Sequence, residues 1–233
     1  MPTHELKRSR GLDGVAVLDG LAAQSLMRLA AECKWRVLDA HATILDAETE
    51  STEVYFLTEG RVRVTIYAPG GREVAFRDLD AGASFGEVAA VDGLGRSASV
   101  VALEPSVVAT MSSTRFWRLL ASEPPVAANV LRRFAALIRD LTARVVETTT
   151  LTVPERVRAE ILRHTRVAGV VANSATIEAF PTHAELANQI GGTREAVTRE
   201  LGHLTREGLI ERRGRALVVP DIASLAAVML DHR

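Results

Sequence analysis

The chain has 233 residues, of which 47% are hydrophobic and 24% charged. That is globular composition with material for one large core or two small ones, and it excludes a generally disordered chain. Acids and bases nearly cancel at a net charge of -1, so the whole molecule exerts no pull on polyanions and any nucleic-acid surface must be local.

The first dozen residues are charged and lack the apolar centre of a signal peptide, which predicts a cytoplasmic protein. No apolar run approaches the ~18 residues of a membrane span. Cys33 is the single cysteine, so an internal disulfide, a structural thiolate zinc site and a four-cysteine iron–sulfur site are excluded. Lysine occurs only at Lys7 and Lys34; the other basic residues are arginines, whose forks suit carboxylate, phosphate and guanine.

Residues 22–33 space apolar side chains at helical intervals, with Leu26, Leu29 and Ala30 on one face. From Trp35 to Met111 the period changes to two. Runs at 53–58, 61–67, 73–79 and 98–103 are separated by turn signals such as Glu59-Gly60, Pro69-Gly70-Gly71 and Asp92-Gly93. Many short strands at turn-length spacing predict a sandwich or roll.

Inside that block lies Gly86-Glu87-Val88-Ala89, followed by Arg96-Ser97. The residues after Gly86 can form one helical turn, whose free N–H groups favour an anion. Arg96 supplies a phosphate fork, and an ionised Glu87 accepts from a ribose hydroxyl. Gly93 and Gly95 allow the chain to fold back so that Glu87 and Arg96 converge. A plain surface turn with a Glu–Arg pair is the less specific alternative.

Pro124-Pro125 opens a long helical pattern with two adjacent apolar stripes. One is Val130, Phe134, Leu137 and Leu141; the other is Leu131, Ala135, Ile138, Thr142 and Val145. Arg132, Arg133, Arg139 and Asp140 are expected on the remaining surface. One stripe can pack on the chain's own strands and the other on a second copy of the helix, or both can be buried in a monomer. Periodicity does not choose between these.

A further helix is predicted from Pro154 over 155–164, then a polar stretch over 169–178. His41 and His164 are isolated in sequence and are expected at the surface or at helix ends. Thr182 and Glu185 have capping-box spacing and start a short helix, Gly191-Gly192 stops it, and Thr193 caps the next one. Ala187, Gly191 and Val197 supply the small contact, tight turn and core plug of a helix-turn-helix. At about 100° per residue, Arg194, Glu195 and Arg199 share a polar face, while Val197, Leu201 and Leu204 lie opposite. Arginine can donate twice to guanine and glutamate can accept from cytosine N4. A hairpin follows over 210–219, with Arg212, Arg213 and Arg215 around Gly214 as a wing touching phosphates.

Together these two motifs resemble the Crp/Fnr family of bacterial regulators, in its cyclic AMP receptor branch, over about residues 15–222. Phe85-Gly86-Glu87-Val88-Ala89 and Arg96-Ser97-Ala98-Ser99-Val100 are similar to its phosphate-binding cassette. The resemblance implies an α+β fold: a cyclic-nucleotide-binding β-roll with flanking helices over 1–122, a dimerisation helix over 123–150, and a winged helix-turn-helix over 151–233. It implies that Gly86, Glu87, Val88, Ala89, Arg96 and Ser97 hold the ribose and cyclic phosphate, with Thr142 against the purine. Leu141 departs from the family's second hydroxyl there. It further implies that Arg194, Glu195 and Arg199 read bases, that Thr182, Thr193 and Arg213 contact phosphates, and that the operator is a palindrome with TGTGA-like half-sites.

The expected effector is cyclic AMP, with cyclic GMP as rival, and no prosthetic group or metal is expected. Double-stranded DNA, a second copy of the chain and RNA polymerase are the expected macromolecular partners, with no membrane. The competing readings are a cyclic GMP-responsive or ligand-independent regulator of the same family, and an enzyme or kinase-regulatory subunit. The helix-turn-helix and the lack of a catalytic cluster argue against the enzyme. The family's oxygen-sensing cysteine set is absent. Pro2 could mimic the proline ligand of its haem-binding branch, but no matched Cys or His accompanies it.

Overall fold

A computed structural model describes residues 11–67 and 73–228; Pro2 and the predicted turn at Pro69-Gly70-Gly71 lie outside them. The chain divides into two compact units, Met1–Ile138 and Arg139–Arg233, with the division inside one long helix.

In the first unit a 3-10 turn (Ala16–Leu18) and α1 (Ala23–Glu32) precede the strands β1 (Lys34–Leu38), β2 (Thr43–Leu45), β3 (Val54–Glu59), β4 (Arg61–Tyr67), β5 (Glu73–Asp80) and β6 (Ser84–Phe85). Then come α2 (Glu87–Asp92), β7 (Ser99–Ala102), β8 (Ser106–Met111), α3 (Ser113–Ser122) and α4 (Pro124–Thr150). Two antiparallel four-stranded sheets form the roll, in the orders β1-β8-β3-β6 and β2-β7-β4-β5. Leu57, Val62, Val100 and Val108 fill the space between the sheets. The opposite face of β3 and β8 presents Val54, Phe56, Ala109 and Met111 to α1, α3 and the start of α4. Strand β3 is therefore buried on both faces, which explains why Val54-Tyr55-Phe56-Leu57 is an unbroken apolar run.

The helix α4 separates its two stripes. Val126 and Val130 are buried and Phe134 packs beside them on the core of the first unit. Leu131, Ile138 and Val145 are exposed, as are Leu141 and Val146. So the first stripe serves its own unit over its first half, while Leu131 and Val145 of the second are exposed. Arg133 departs from the expected surface position: it is partly buried, for a reason given below.

The second unit holds α5 (Val153–Ala168), β9 (Ala175–Ile177), α6 (His183–Ile190), α7 (Arg194–Arg206), β10 (Glu211–Arg213), β11 (Ala216–Val219) and α8 (Ile222–Ala227). Thr152 and Glu155 form a capping box, so α5 starts at the expected place but runs a turn beyond His164. His164 is not a surface residue: it is partly buried, 3.6 Å from Glu160 and edge-on to Phe180. The polar stretch contains β9, which joins the wing hairpin in a three-stranded sheet of order β10-β11-β9. Only Ala175 and Ile177 of that strand face the core, too few to show a period in sequence. Val157, Ile161, Leu186, Val197 and Leu204 form the core of this unit.

Candidate effector site and nucleic-acid interface

Gly86 ends β6 in the left-handed region at φ 82°, a turn that glycine takes without strain. A Cβ there would lie 2.7 Å from Arg96 Nη1 and 2.8 Å from Glu53 O, so the close approach of the Arg96 fork also requires glycine. Arg96 is buried. Its Nε donates to Ser51 Oγ at 2.9 Å, Nη1 to Gly86 O at 3.1 Å and Nη2 to Glu53 O at 2.8 Å. It lies over the Tyr55 ring, which stacks on Phe85. All three acceptors are neutral oxygens, and among the described residues no carboxylate forms an ion pair with Arg96. Burial pulls its pKa below the ordinary guanidinium range, an effect the charges of Tyr55, Glu53 and Glu87 oppose.

Glu87, the first residue of α2, is also buried, but it does not hydrogen-bond to Arg96. Its Oε1 accepts from Arg133 Nε on α4 at 2.8 Å, and Arg133 Nη2 donates to Ser84 O at 2.6 Å. Ala89 is buried, whereas Val88 and Ser97 are exposed at the rim. Ser51, Glu53 and Arg133 belong to this constellation and were not legible in sequence. Two of them act through carbonyl or hydroxyl oxygens in a loop, and Arg133 sits where the periodicity predicts only solvent. Thr142 is exposed on the part of α4 that belongs to the second unit.

In the second unit three arginines fasten the end of α4 to α5 and α6. Arg144 Nη1 donates to Gln189 O at 3.2 Å, and Arg156 Nη1 to Leu151 O at 2.9 Å. Arg163 Nη2 grips both carboxylate oxygens of Glu147 at 2.7 and 2.8 Å while its Nη1 holds Glu160. Beneath α7, Arg158 Nε donates to Glu200 Oε1 at 2.7 Å, with both side chains buried.

The helix α7 is built as its wheel predicts. Val197, Leu201 and Leu204 are buried, and Arg194, Glu195 and Arg199 are exposed. Gly191 terminates α6 at φ 63°. Thr193 Oγ1 accepts from Ala196 N, which leaves its hydroxyl proton for another acceptor. The Thr182 hydroxyl is used both ways, accepting from Glu185 N and donating to Glu185 Oε2. Arg213, exposed on the wing, pairs with Glu211 at 2.8 Å. A surface pair of this kind costs little to exchange for a phosphate. Among the described residues, no group of His, Cys, Asp and Glu could hold a metal ion, and no helix is long and apolar enough to cross a membrane.

A cyclic nucleotide-binding domain model matches residues 35–123, and a Crp-like helix-turn-helix domain model matches residues 155–228. The cAMP-activated global transcriptional regulator Vfr of Pseudomonas aeruginosa is 27% identical over 209 residues, spanning 88% of this chain and 98% of that protein. The structure of a CooA mutant from Carboxydothermus hydrogenoformans is similar with a TM-score of 0.79 at 20% identity, covering 92% of this chain and 94% of that one. The c-di-GMP responsive global regulator CLP of Xanthomonas campestris is similar with a TM-score of 0.70 at 18% identity, covering 85% and 99%. At these identities the two solved structures speak to the fold alone.

Proposed function

The chain belongs to the Crp/Fnr family of DNA-binding transcription regulators, and from that premise we propose that its sensor is gated by a cyclic nucleotide, cyclic AMP ahead of cyclic GMP. The observation that supports the reading is Arg96: a buried cation held by three neutral acceptors and, among the described residues, by no carboxylate. A guanidinium has five N–H groups, so two remain for the phosphate of a cyclic nucleotide, a monoanion that offsets the buried charge. The amides of Gly86, Val88 and Ala89 complete the cradle, and Ser97 adds a hydroxyl at the rim. Glu87 keeps Oε2 for a ribose hydroxyl while Oε1 stays on Arg133. Thr142 is assigned to the purine on resemblance. Vfr, a relative along most of the chain, is named as cAMP-activated, which sets the order of the two nucleotides.

The regulator acts as a homodimer joined through the exposed apolar residues of α4, Leu131 and Val145 among them. It binds a palindromic operator with TGTGA-like half-sites. Arg194, Glu195 and Arg199 read bases, Thr182, Thr193 and Arg213 hold phosphates, and RNA polymerase is the onward partner. Calorimetric titration with cyclic AMP, cyclic GMP and cyclic di-GMP tests the effector. Heat of binding with cyclic AMP, and operator affinity raised by it, is the expected result. DNA affinity raised by cyclic GMP alone, or by none of the three, overturns the assignment.

One observation favours a second reading. The two charged groups of the cassette already have protein partners, Arg96 on three oxygens and Glu87 on Arg133. A cassette satisfied in this way suits a regulator of the same family that needs no ligand or takes a different one. The same titration separates the two, because such a regulator binds its operator equally with and without nucleotide.

A further inference from the structure

His183, the first residue of α6, joins three parts of the DNA-reading domain. Its Nδ1 lies 2.8 Å from Thr198 Oγ1 on α7, and its Nε2 lies 3.1 Å from Arg212 Nη1 on β10. The neighbours fix the tautomer. Arg212 can only donate, so Nε2 accepts and Nδ1 carries the proton. Nδ1 then donates to Thr198 Oγ1, whose hydroxyl donates to Arg194 O at 2.8 Å. The ring is neutral in this arrangement. Burial holds its pKa below the ordinary imidazole value, and the charges of Arg212 on β10 and Arg194 on α7 push the same way.

A directed chain of donors thus runs from the wing through His183 to the first residue of the reading helix. Arg212, Thr198 and Arg194 are exposed, and His183 is partly so. Among the described residues no carboxylate pairs with Arg212; the one hydrogen bond of its guanidinium is to the histidine. Neighbouring Arg213, by contrast, has Glu211. Two guanidinium groups and a titratable ring facing solvent without a counter-ion make a site for an anion.

We propose that His183 and Arg212 form a DNA-phosphate site, in which the phosphate takes over the Arg212 donor and His183 Nε2, protonated from solvent, supplies a second. Binding DNA therefore takes up one proton per site. The inference rests on the reading of the exposed α7 face as the DNA-binding face. The free ring is neutral because its pKa is low, and a phosphate raises that pKa. Between the two values only the complex carries the proton, so affinity tightens as pH falls, by at most about tenfold per unit for each site.

The test is the dissociation constant for a random-sequence duplex at fixed low ionic strength, from about pH 8 down to about pH 6, where an imidazole titrates. A backbone contact needs no operator. The expected result is a progressive tightening in the wild type that His183→Gln abolishes and His203→Gln retains. Glutamine can still accept from Arg212 and donate to Thr198, so it keeps the geometry and removes the proton. Magnetic resonance titration of the His183 ring, free and with duplex, gives the same answer without a variant, as a pKa higher in the complex. A flat wild-type profile, an equal slope in His183→Gln, or an unshifted ring overturns the site. Arg194→Gln monitored alongside separates the two levels. If it leaves affinity for every duplex unchanged, the DNA-face reading fails, whatever the pH profile shows.

Discussion

Arg133 holds Glu87 by a 2.8 Å bond from Nε to Oε1, and so ties the effector cassette to the first half of the long helix. The Glu87 side chain is 6% exposed and that of Arg133 is 22% exposed, so the pair is shielded from solvent on the carboxylate side. A carboxylate buried this far and stripped of its cation is strongly disfavoured. This pair therefore joins the cassette to the first half of α4.

Arg133→Met should weaken cyclic AMP binding by about tenfold, roughly 1.4 kcal/mol. It leaves the Glu87 carboxylate without the group that orients it. Arg133→Lys, which restores the charge but not the bond to Ser84 O, should recover part of the loss. Calorimetry on both variants checks this. An unchanged dissociation constant in a folded Arg133→Met protein removes the arginine from the effector response.

The Arg158–Glu200 pair makes a contrasting prediction about stability. Glu200→Ala leaves a buried guanidinium without its partner, at a cost of ~3–5 kcal/mol. Replacing both, as Arg158→Met with Glu200→Leu, should restore most of that loss, since the desolvation cost of two ions disappears with them. Urea denaturation of the single and double variants measures the difference. A double variant no more stable than Glu200→Ala refutes the argument.

Glu195 separates base reading from phosphate binding, because a carboxylate beside phosphates is repelled. Glu195→Ala should relax preference at one base pair, worth ~1–3 kcal/mol of discrimination, and leave non-specific binding equal or stronger. Selection of binding sites from a random pool reads this directly. Recovery of the wild-type motif at undiminished preference would take Glu195 off the reading face.

For self-association the informative change is Leu131→Asp. Leu131 is 67% exposed, so the charge does not disturb the fold of one chain. In a helix seam it would be buried without a partner, at several kcal/mol. Sedimentation should show the wild type as a dimer and the variant as a monomer. Phe134→Asp would be ambiguous, because Phe134 packs on the core of the first unit and a charge there would disturb the fold of one chain.

Cys33 is buried at the end of α1, and burial, reinforced by Glu32 and opposed by Arg115, pushes its thiol pKa up to about 11. The native thiol should therefore stay protonated and resist alkylation at about pH 9, where a free cysteine is largely thiolate. In denaturant the one cysteine should react at once. Because the folded pKa is the higher, this group's contribution to stability is lost as pH rises from the ordinary thiol range through about 11. Rapid labelling of the native protein contradicts this.

Sequence reading succeeded where a local rule applied. The Thr182–Glu185 and Thr193 caps, the Gly191 turn and the buried Val197-Leu201-Leu204 face all follow from spacing along a single helix. The cassette turn at Gly86 was visible for the same reason. What escaped is non-local. Arg133 reaches Glu87 across 46 residues and Arg158 reaches Glu200 across 42, and a helical wheel marks such arginines as solvent-facing. The strand β9 escaped because two inward residues give no period. Nothing in the order of residues joins His183 to Arg212 either, since their meeting depends on how the hairpin lies beside the first reading-domain helix.

The strand β11 is bonded on one side to β10 and on the other to β9, with Leu217↔Ile177 and Val219↔Ala175 in register. The wing hairpin is thereby anchored to the sheet and cannot behave as a loose flap. On the proposed DNA face the wing arginines and α7 are ordered before binding, so the conformational entropy of fixing the wing is spent during folding, not on binding. Changes that loosen β9, such as proline at Thr176, should therefore shorten the lifetime of every protein–DNA complex while leaving the base preference intact.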